Sequence, residues 1–239
     1  MTVDWLLKKA KSRNIFITCS LYERDQEHYY NTMVMVGNDG SLQYYRKRNP
    51  TWMEFTVWRR SEDPGPGLFK TPFGIVGGAI CFDSFSRESF IGFQRNKISL
   101  IIIVACWGIP RNTRKDLLWS IPMMKRWSYQ ASRIIPQRYA DELAVPVIFV
   151  NQSGTSPFPC LLPPPYPRPK VTFDYEFTGN SSAWNSSGQI TFDGNDSEEL
   201  DFSKVVTLDL YPEKKSENMT KAKLSPRYPS GKNFLVNPL

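Results

Sequence analysis

The chain has 239 residues, of which 41% are hydrophobic and 22% charged, and it carries a formal net charge of +7. This length is enough for one sizeable α/β domain with a large hydrophobic core. No run of 18 apolar residues occurs, which excludes an obvious transmembrane helix, and the charged N-terminal segment does not resemble a secretory signal. The four cysteines show no C-x-x-C spacing, so neither a zinc site nor a disulfide framework is indicated. We therefore expect a cytoplasmic protein that needs no metal or other cofactor and has no membrane partner.

The predicted elements begin with an amphipathic helix over Met1–Arg13, whose apolar stripe includes Leu6 and Ala10. Short apolar runs separated by polar turns then alternate with helical patterns, which is typical of an α/β layered fold. In chain order we expect strands at 14–22, 29–37 and 41–46, a long aromatic loop, a strand at 74–80, a helix at 84–95, a strand at 98–105, helices near 115–132 and 136–143 divided by Pro136, and a strand at 146–151.

Cys81 follows an apolar run and the paired glycines Gly77 and Gly78, and it precedes an acidic, serine-bearing stretch. This pattern predicts a strand that enters the helix at 84–95 through a tight turn. A thiol on such a turn would face the helix N-terminus, where backbone N–H groups and the helix dipole favour the thiolate. Cys81 is therefore a candidate nucleophile. The alternative interpretation is a small apolar residue that closes a buried strand.

Four further motifs accompany the Cys81 segment in a fixed order along the chain. They are Tyr44-Tyr45-Arg46-Lys47, Ala105-Cys106-Trp107-Gly108, Arg138-Tyr139-Ala140-Asp141-Glu142 and Asn151-Gln152-Ser153-Gly154. Together with Gly77-Gly78-Ala79-Ile80-Cys81-Phe82-Asp83, their order and spacing resemble the nitrilase (carbon–nitrogen hydrolase) superfamily over roughly residues 3 to 212.

This resemblance implies an α/β (α+β) fold of the nitrilase type, a four-layer αββα sandwich in which helices cover two packed β-sheets. It implies a hydrolase domain over 1–212, with a β-hairpin near 177–190 and a last strand at 205–210, followed by a basic C-terminal tail over 213–239. In this family the tail commonly reaches a neighbouring subunit, so we expect a homo-oligomer; the alternative for the tail is a solvated, partly disordered segment. The chain matches the family only from the helix that precedes the family's third strand, so we expect a sandwich that is incomplete at the N-terminus and has an open sheet edge.

The resemblance also implies a cysteine, a lysine and a glutamate that act together on a small-molecule amide, carbamoyl amide or nitrile substrate. Cys81 would attack the substrate carbon, and Lys47 would stabilise the oxyanion together with the Phe82 backbone N–H. Trp107, at the Trp-Gly strand end, would contact the substrate. We expect the Lys47 ammonium to lie close to the Cys81 sulfur, at the ends of two adjacent strands. The alternative for Lys47 is one cation in the solvated cluster 46–48.

The catalytic glutamate of the family lies upstream of the matching region, and no Pro-Glu sequence precedes Lys47. Glu54, seven residues after Lys47, matches a loop glutamate that many members place beside the lysine and the cysteine. Glu54 is therefore the candidate surrogate base, and the alternative is an exposed charge in an aromatic loop. A glutamate base typically contributes a rate factor of about 10² to 10⁴. We thus expect this chain to be inactive or slow, and a chain extended by the family's N-terminal segment to regain turnover.

Three functional hypotheses remain open: a thiol-dependent hydrolase, a non-catalytic member or fragment of the same fold, and a basic proline-rich binding module. The seven prolines in 157–169 suit either an SH3- or WW-type ligand or a loop at the active-site mouth. The basic tail lacks interleaved aromatic residues, so we expect no nucleic-acid partner.

The Asn-x-Ser/Thr sequons are either glycosylation acceptors or a by-product of a Ser/Asn-rich segment. They begin at Asn151, Asn180, Asn185, Asn195 and Asn218.

Overall fold

The structure, a computed structural model, describes residues 2–51, 54–63, 65–111, 121–160, 171–194 and 205–210. These residues form two compact units, one within 1–104 and 209–239 and the other within 105–208. The first unit contains α1 (Thr2–Arg13), β1 (Ile17–Asp25), β2 (His28–Val36), β3 (Leu42–Arg46), β4 (Gly67–Thr71), β5 (Gly74–Ile80), α2 (Arg87–Arg95) and β6 (Leu100–Ala105), which ends at the boundary. The second contains β7 (Gly108–Pro110), α3 (Ile121–Leu143), β8 (Val147–Asn151), β9 (Ser153–Cys160), β10 (Val171–Thr178), β11 (Ser182–Trp184) and β12 (Ile190–Asp193).

An antiparallel sheet in the order β1-β2-β3 forms one layer of the first unit. Helix α1 packs on this sheet because Leu6 and Ala10, four residues apart, lie on the same face of the helix. Both are buried in a hydrophobic cluster with Val34 and Val36 of β2. The predicted N-terminal helix and its apolar stripe are therefore confirmed.

The strands β4, β5 and β6 form the next layer, in which β4 runs antiparallel and β6 parallel to β5. Gly77 and Gly78 are consecutive in β5 and therefore face opposite sides of this layer. A Cβ on Gly78 would lie 2.9 Å from the Met33 Sδ of β2, whereas a Cβ on Gly77 would lie 2.9 Å from the Phe93 Cδ1 of α2. The first sheet thus packs closely on one side of β5 and α2 on the other. The layer order of this unit is α1, sheet, sheet, α2, which confirms the αββα fold class implied by the resemblance.

The second unit combines one long helix with short antiparallel strands. Helix α3 packs against β8, which pairs with β11, and β11 pairs in turn with β12. A second group consists of β10 flanked by β7 and β9. The hairpin expected near 177–190 is present as β11 and β12. Of the helices in the described parts of both units, none has the length and apolar character required to cross a membrane.

The division of two helices at Pro136 is wrong, because α3 runs through this residue without a break. Of the two predicted ranges, residues 115–120 lie outside the described part of the chain. A proline inside a helix costs about 3 kcal/mol, since it removes an N–H donor and clashes with the preceding turn. The helix continues because Ala131, Ile135 and Tyr139, spaced four residues apart, form one buried stripe. Burying large apolar side chains contributes about 1.5–3 kcal/mol each, which offsets the proline.

Four other elements differ from expectation. Strand β4 lies in the segment predicted to be an aromatic loop. Helix α2 begins at Arg87 rather than at 84, after a 3₁₀ turn over Cys81–Phe85. The expected polyproline loop begins inside β9, because residues 157–160 pair with β10, and residues 161–169 lie outside the described part. Residues 205–210 are described but form no strand, so the last strand is wrong.

Candidate active site

Cys81 lies at a sharp turn between β5 and the 3₁₀ turn Cys81–Phe85. Ile80 before it is extended (φ −104°, ψ 108°), whereas Cys81 has φ +49°, in the left-handed region that L-residues rarely adopt. A non-glycine residue held there costs of order 1–3 kcal/mol, and such strain is concentrated at functional sites. The Ser84 hydroxyl donates a 2.7 Å hydrogen bond to the Cys81 carbonyl and holds the turn. The chain therefore turns sharply at Cys81, which is half-buried, and we call the segment Cys81–Phe85 the elbow.

The helix that follows Cys81 begins later in the chain than the sequence predicts. Helix α2 begins at Arg87, and the Ser86 side chain caps it by accepting a 3.0 Å hydrogen bond from the Ser89 N–H. Cys81 precedes the first residue of α2 by six positions. The predicted start of the helix at 84 is therefore wrong, and an effect of the helix dipole on the Cys81 thiol stays a prediction.

Lys47 follows β3 and is almost completely buried, with 1% of its surface exposed. Its ammonium donates hydrogen bonds of 2.7 and 2.6 Å to the two carboxylate oxygens of Glu54. Burial on its own would lower the pKa of Lys47, but attraction to Cys81, Glu54 and Asp83 outweighs burial and raises this pKa. Lys47 is therefore a buried cation, and its interpretation as one charge in a solvated cluster is wrong.

Glu54 begins a 3₁₀ turn over Glu54–Thr56. Its carboxylate also accepts a 2.6 Å hydrogen bond from the Thr51 N–H, and its side chain is only 20% exposed. The Trp58 N–H donates a 2.7 Å bond to the Glu54 carbonyl and orders the following loop. Glu54 is thus held beside Lys47, and its interpretation as an exposed loop charge is wrong.

Lys47 and Cys81 come from strands of two different layers. Strand β3 belongs to the sheet β1-β2-β3, whereas β5 lies between β4 and β6. The expectation that these residues end adjacent strands is therefore wrong. Attraction to Cys81 is the largest of the influences that raise the Lys47 pKa, and the close approach of the Lys47 ammonium to the Cys81 sulfur stays a prediction. The end of β3 and the turn after β5 are joined by the 2.9 Å hydrogen bond from the Tyr45 hydroxyl to the Asp83 carboxylate.

Asp83 lies in the turn Cys81–Phe85 and is fully buried, and its part in the site was not predicted from the sequence. Its carboxylate accepts hydrogen bonds from the Tyr45 hydroxyl (2.9 Å), the Asn49 N–H (2.8 Å) and the Asn49 side-chain amide (3.1 Å). Burial raises the pKa of Asp83, although the Lys47 ammonium and these hydrogen bonds oppose the shift. Burial and the neighbouring carboxylate also raise the pKa of Tyr45 well above its usual value. No local spacing could have revealed this cluster, since its members lie 34 to 38 residues apart.

The two predicted substrate-binding residues lie in different units. Phe82 is a half-buried member of the elbow, and its ring packs on Phe85 at a centroid distance of 5.4 Å. Trp107 precedes β7; its ring packs on Phe149 at 5.1 Å, and its backbone N–H donates a 2.7 Å hydrogen bond to the Asn151 Oδ1. The substrate contacts of both residues stay predictions. Within the part of the chain that the structure describes, no group of three or more His, Cys, Asp or Glu residues could hold a metal ion.

The family model described as Carbon-nitrogen hydrolase matches residues 1–211, and the chain belongs to this family. A bifunctional nitrilase/nitrile hydratase from Lupinus angustifolius is 31% identical over 83 residues, which cover 34% of this chain and 24% of that protein. An N-carbamoylputrescine amidase from Arabidopsis thaliana is 30% identical over 93 residues, or 37% of this chain and 31% of that protein. The solved carbon-nitrogen hydrolase from Helicobacter pylori G27 shares the fold, with a TM-score of 0.64 and 20% identity over 82% of this chain and 63% of the other. The matches thus span about a quarter to a third of the length of the curated relatives.

Proposed function

We propose that the protein hydrolyses a non-peptide carbon–nitrogen bond in a small amide, carbamoyl amide or nitrile, with Cys81 as the nucleophile. The observation that carries this proposal is the buried Lys47 ammonium, which interacts with both Cys81 and Glu54. A cation beside a thiol stabilises the thiolate, and the same cation can stabilise an oxyanion formed during attack. The matches span only part of the length of the relatives, so the activity of the whole protein is proposed here and not taken over from them.

In the proposed reaction of an amide, the Cys81 sulfur bonds to the carbonyl carbon while the carbonyl π electrons move to oxygen. The Lys47 ammonium and the Phe82 N–H stabilise this oxyanion. Glu54 takes the thiol proton and delivers it to the nitrogen, so the carbon–nitrogen bond breaks and ammonia leaves a thioester. Water then attacks the thioester, which yields the carboxylic acid and regenerates the thiol. A nitrile would pass through a thioimidate and consume one more water molecule.

Both carboxylate oxygens of Glu54 accept a hydrogen bond from the Lys47 ammonium, and one of them also accepts from the Thr51 N–H. A carboxylate has about four lone-pair sites, so Glu54 can accept a proton while it stays bonded to Lys47. The raised pKa of Lys47 keeps it protonated at neutral pH, so Lys47 acts as a charge and not as the base.

We further propose that residues 1–212 form the hydrolase domain, and that the basic tail at 213–239 joins copies of the chain into a homo-oligomer in the cytoplasm. The family model, which matches residues 1–211, supports the first boundary. Neither a nucleic acid nor a membrane is part of this proposal. Size-exclusion chromatography with light scattering, with and without the tail, tests the assembly: a monomer in both cases would contradict it.

The activity is tested by ammonia release from a panel of amides, carbamoyl amides and nitriles. We expect Cys81→Ala to abolish release and Glu54→Gln to lower it by about 10²-fold or more. Cys106→Ser and Glu62→Gln are matched controls, because each changes an exposed residue of the same type, and both should leave release unchanged.

Three outcomes would change the proposal. Release that survives Cys81→Ala would refute the thiol mechanism. Release that is unaffected by Glu54→Gln would show that another group moves the proton. Labelling of Cys81 by an electrophile, without ammonia release from any compound, would favour the non-catalytic hypothesis.

A further inference from the structure

Asp83 connects the two chain segments that carry the proposed nucleophile and the proposed cation. It lies in the 3₁₀ turn that begins at Cys81. The donors to its carboxylate come from the segment around Lys47, with Tyr45 two residues before the lysine and Asn49 two residues after it. The Asp83 carboxylate thus connects the residues before and after Lys47 to the elbow.

This connection crosses from one sheet to the other, since the carboxylate follows β5 and its donors lie at the end of β3. The backbone of Lys47 is also held independently: its N–H donates a 2.8 Å hydrogen bond to the Asn31 carbonyl, and its carbonyl accepts a 3.0 Å bond from the Ser61 N–H. Loss of the Asp83 contacts should therefore loosen the approach of Lys47 to Cys81 without unfolding the end of β3.

The choice of an aspartate at position 83 points to a role at the site. Burying a carboxylate is costly, and an asparagine could accept the same backbone N–H bonds without burying a charge. What an asparagine cannot supply is attraction to the Lys47 ammonium, which Asp83 does supply. The residue type therefore favours a role that acts through Lys47.

We propose that Asp83 is a positioning residue which, with the Tyr45 hydroxyl as its hydrogen-bond partner, holds the Lys47 ammonium against the Cys81 sulfur. This role rests on the proposed function, because it affects the reaction only if Cys81 is the nucleophile. It adds a fourth side chain to the cysteine, lysine and glutamate, one that acts on the reaction through the lysine.

The test is the pH dependence of Cys81 alkylation by iodoacetamide in the full chain, followed by peptide mass mapping. Tyr45→Phe keeps every charge of the site and removes only the hydroxyl that donates to Asp83. We expect the alkylation midpoint to rise by roughly half a pH unit, a roughly threefold loss of thiolate near neutral pH, because Lys47 is held less closely. Tyr44→Phe is the matched control: Tyr44 is 66% exposed, and its replacement should leave the midpoint unchanged.

A second arm measures coupling between Asp83 and Lys47. In an Asp83→Asn background, Lys47→Gln should shift the Cys81 midpoint by about half as much or less than in the unmodified chain. An equal shift in both backgrounds, or an unchanged midpoint in Tyr45→Phe, would overturn the role, because a residue that only stabilises the fold leaves the thiolate–ammonium interaction intact. If Asp83→Asn does not fold, the result for Tyr45→Phe decides. A Cys81 that resists alkylation in the unmodified chain would instead refute the proposed nucleophile, and this role with it.

Discussion

Replacing Lys47 by methionine tests how strongly the fold depends on the buried ion pair. Methionine has a similar length but no charge, so Glu54 and Asp83 would lose the ammonium that neutralises them. At 2.6 Å and an effective dielectric constant of about 20, the attraction between Lys47 and Glu54 is about 6 kcal/mol before the cost of removing both charges from water. Removing one partner of a buried pair typically leaves a net loss of about 3–5 kcal/mol. We expect a decrease of this size in the free energy of unfolding.

Urea denaturation followed by circular dichroism measures this change. Lys70→Met is the matched control, because Lys70 is exposed on β4 and its replacement should change stability by about 0.5 kcal/mol at most. Combining Lys47→Met with Glu54→Gln removes both charges, and its cost should be about 1–3 kcal/mol smaller than the sum of the two single costs. A double variant whose cost equals that sum would refute the reasoning, because the contact would then carry no interaction energy.

Three further predictions concern the elbow, the sheet packing and the acid stability. Cys81 should be the most reactive of the four thiols toward alkylation at neutral pH, and preferential labelling of Cys160 would indicate that the elbow is not assembled. Gly78→Ala should lower the stability measured in urea by about 1–3 kcal/mol, since its Cβ would clash with the Phe69 ring of β4 and meet the Met33 sulfur of the facing sheet at 2.9 Å; an unchanged midpoint would show that these side chains can move aside. The hydrogen bond from Arg46 lowers the pKa of Glu23 below its usual 4.5, so this contact contributes stability that is present above pH 4.5 and is lost as the pH falls through the lower folded pKa. The thermal midpoint of Glu23→Gln should therefore fall less than that of the unmodified chain between about pH 6 and pH 3, and parallel curves would contradict this.

The features that could be predicted from the sequence are local. The apolar run, the paired glycines and Cys81 are contiguous, so the strand and its sharp turn are readable without knowledge of the rest of the fold. Glu54 was only partly predictable, because its distance from Lys47 depends on a loop that the Thr51 N–H orders. Asp83 was not predictable as a site residue, because its donors lie at the end of β3 or just after it and become its neighbours only when the layers pack.

The incorrect predictions have three separate physical causes. Pro136 is a strong local signal, yet the buried stripe on both sides of it depends on tertiary packing, which no local pattern reports. Strand β4 is short, and five residues next to an aromatic loop give little periodicity. The helix expected at 84 begins later because Ser86, and not an earlier residue, supplies the N-terminal cap.

The hydrogen bonds of Asn151 have a consequence for glycosylation. A glycan is attached to the amide nitrogen of an asparagine, but this nitrogen in Asn151 donates a 2.7 Å bond to the Gly179 carbonyl, and the residue is buried. Asn180, which also begins a sequon, is buried and donates a 2.8 Å bond to the Ser132 hydroxyl. A sugar could therefore be attached to either asparagine only before the second unit folds. Once attached, it would prevent these hydrogen bonds from forming. In a glycosylating compartment, sugar at these two positions would mark molecules that had failed to fold, and the folded population would carry none there.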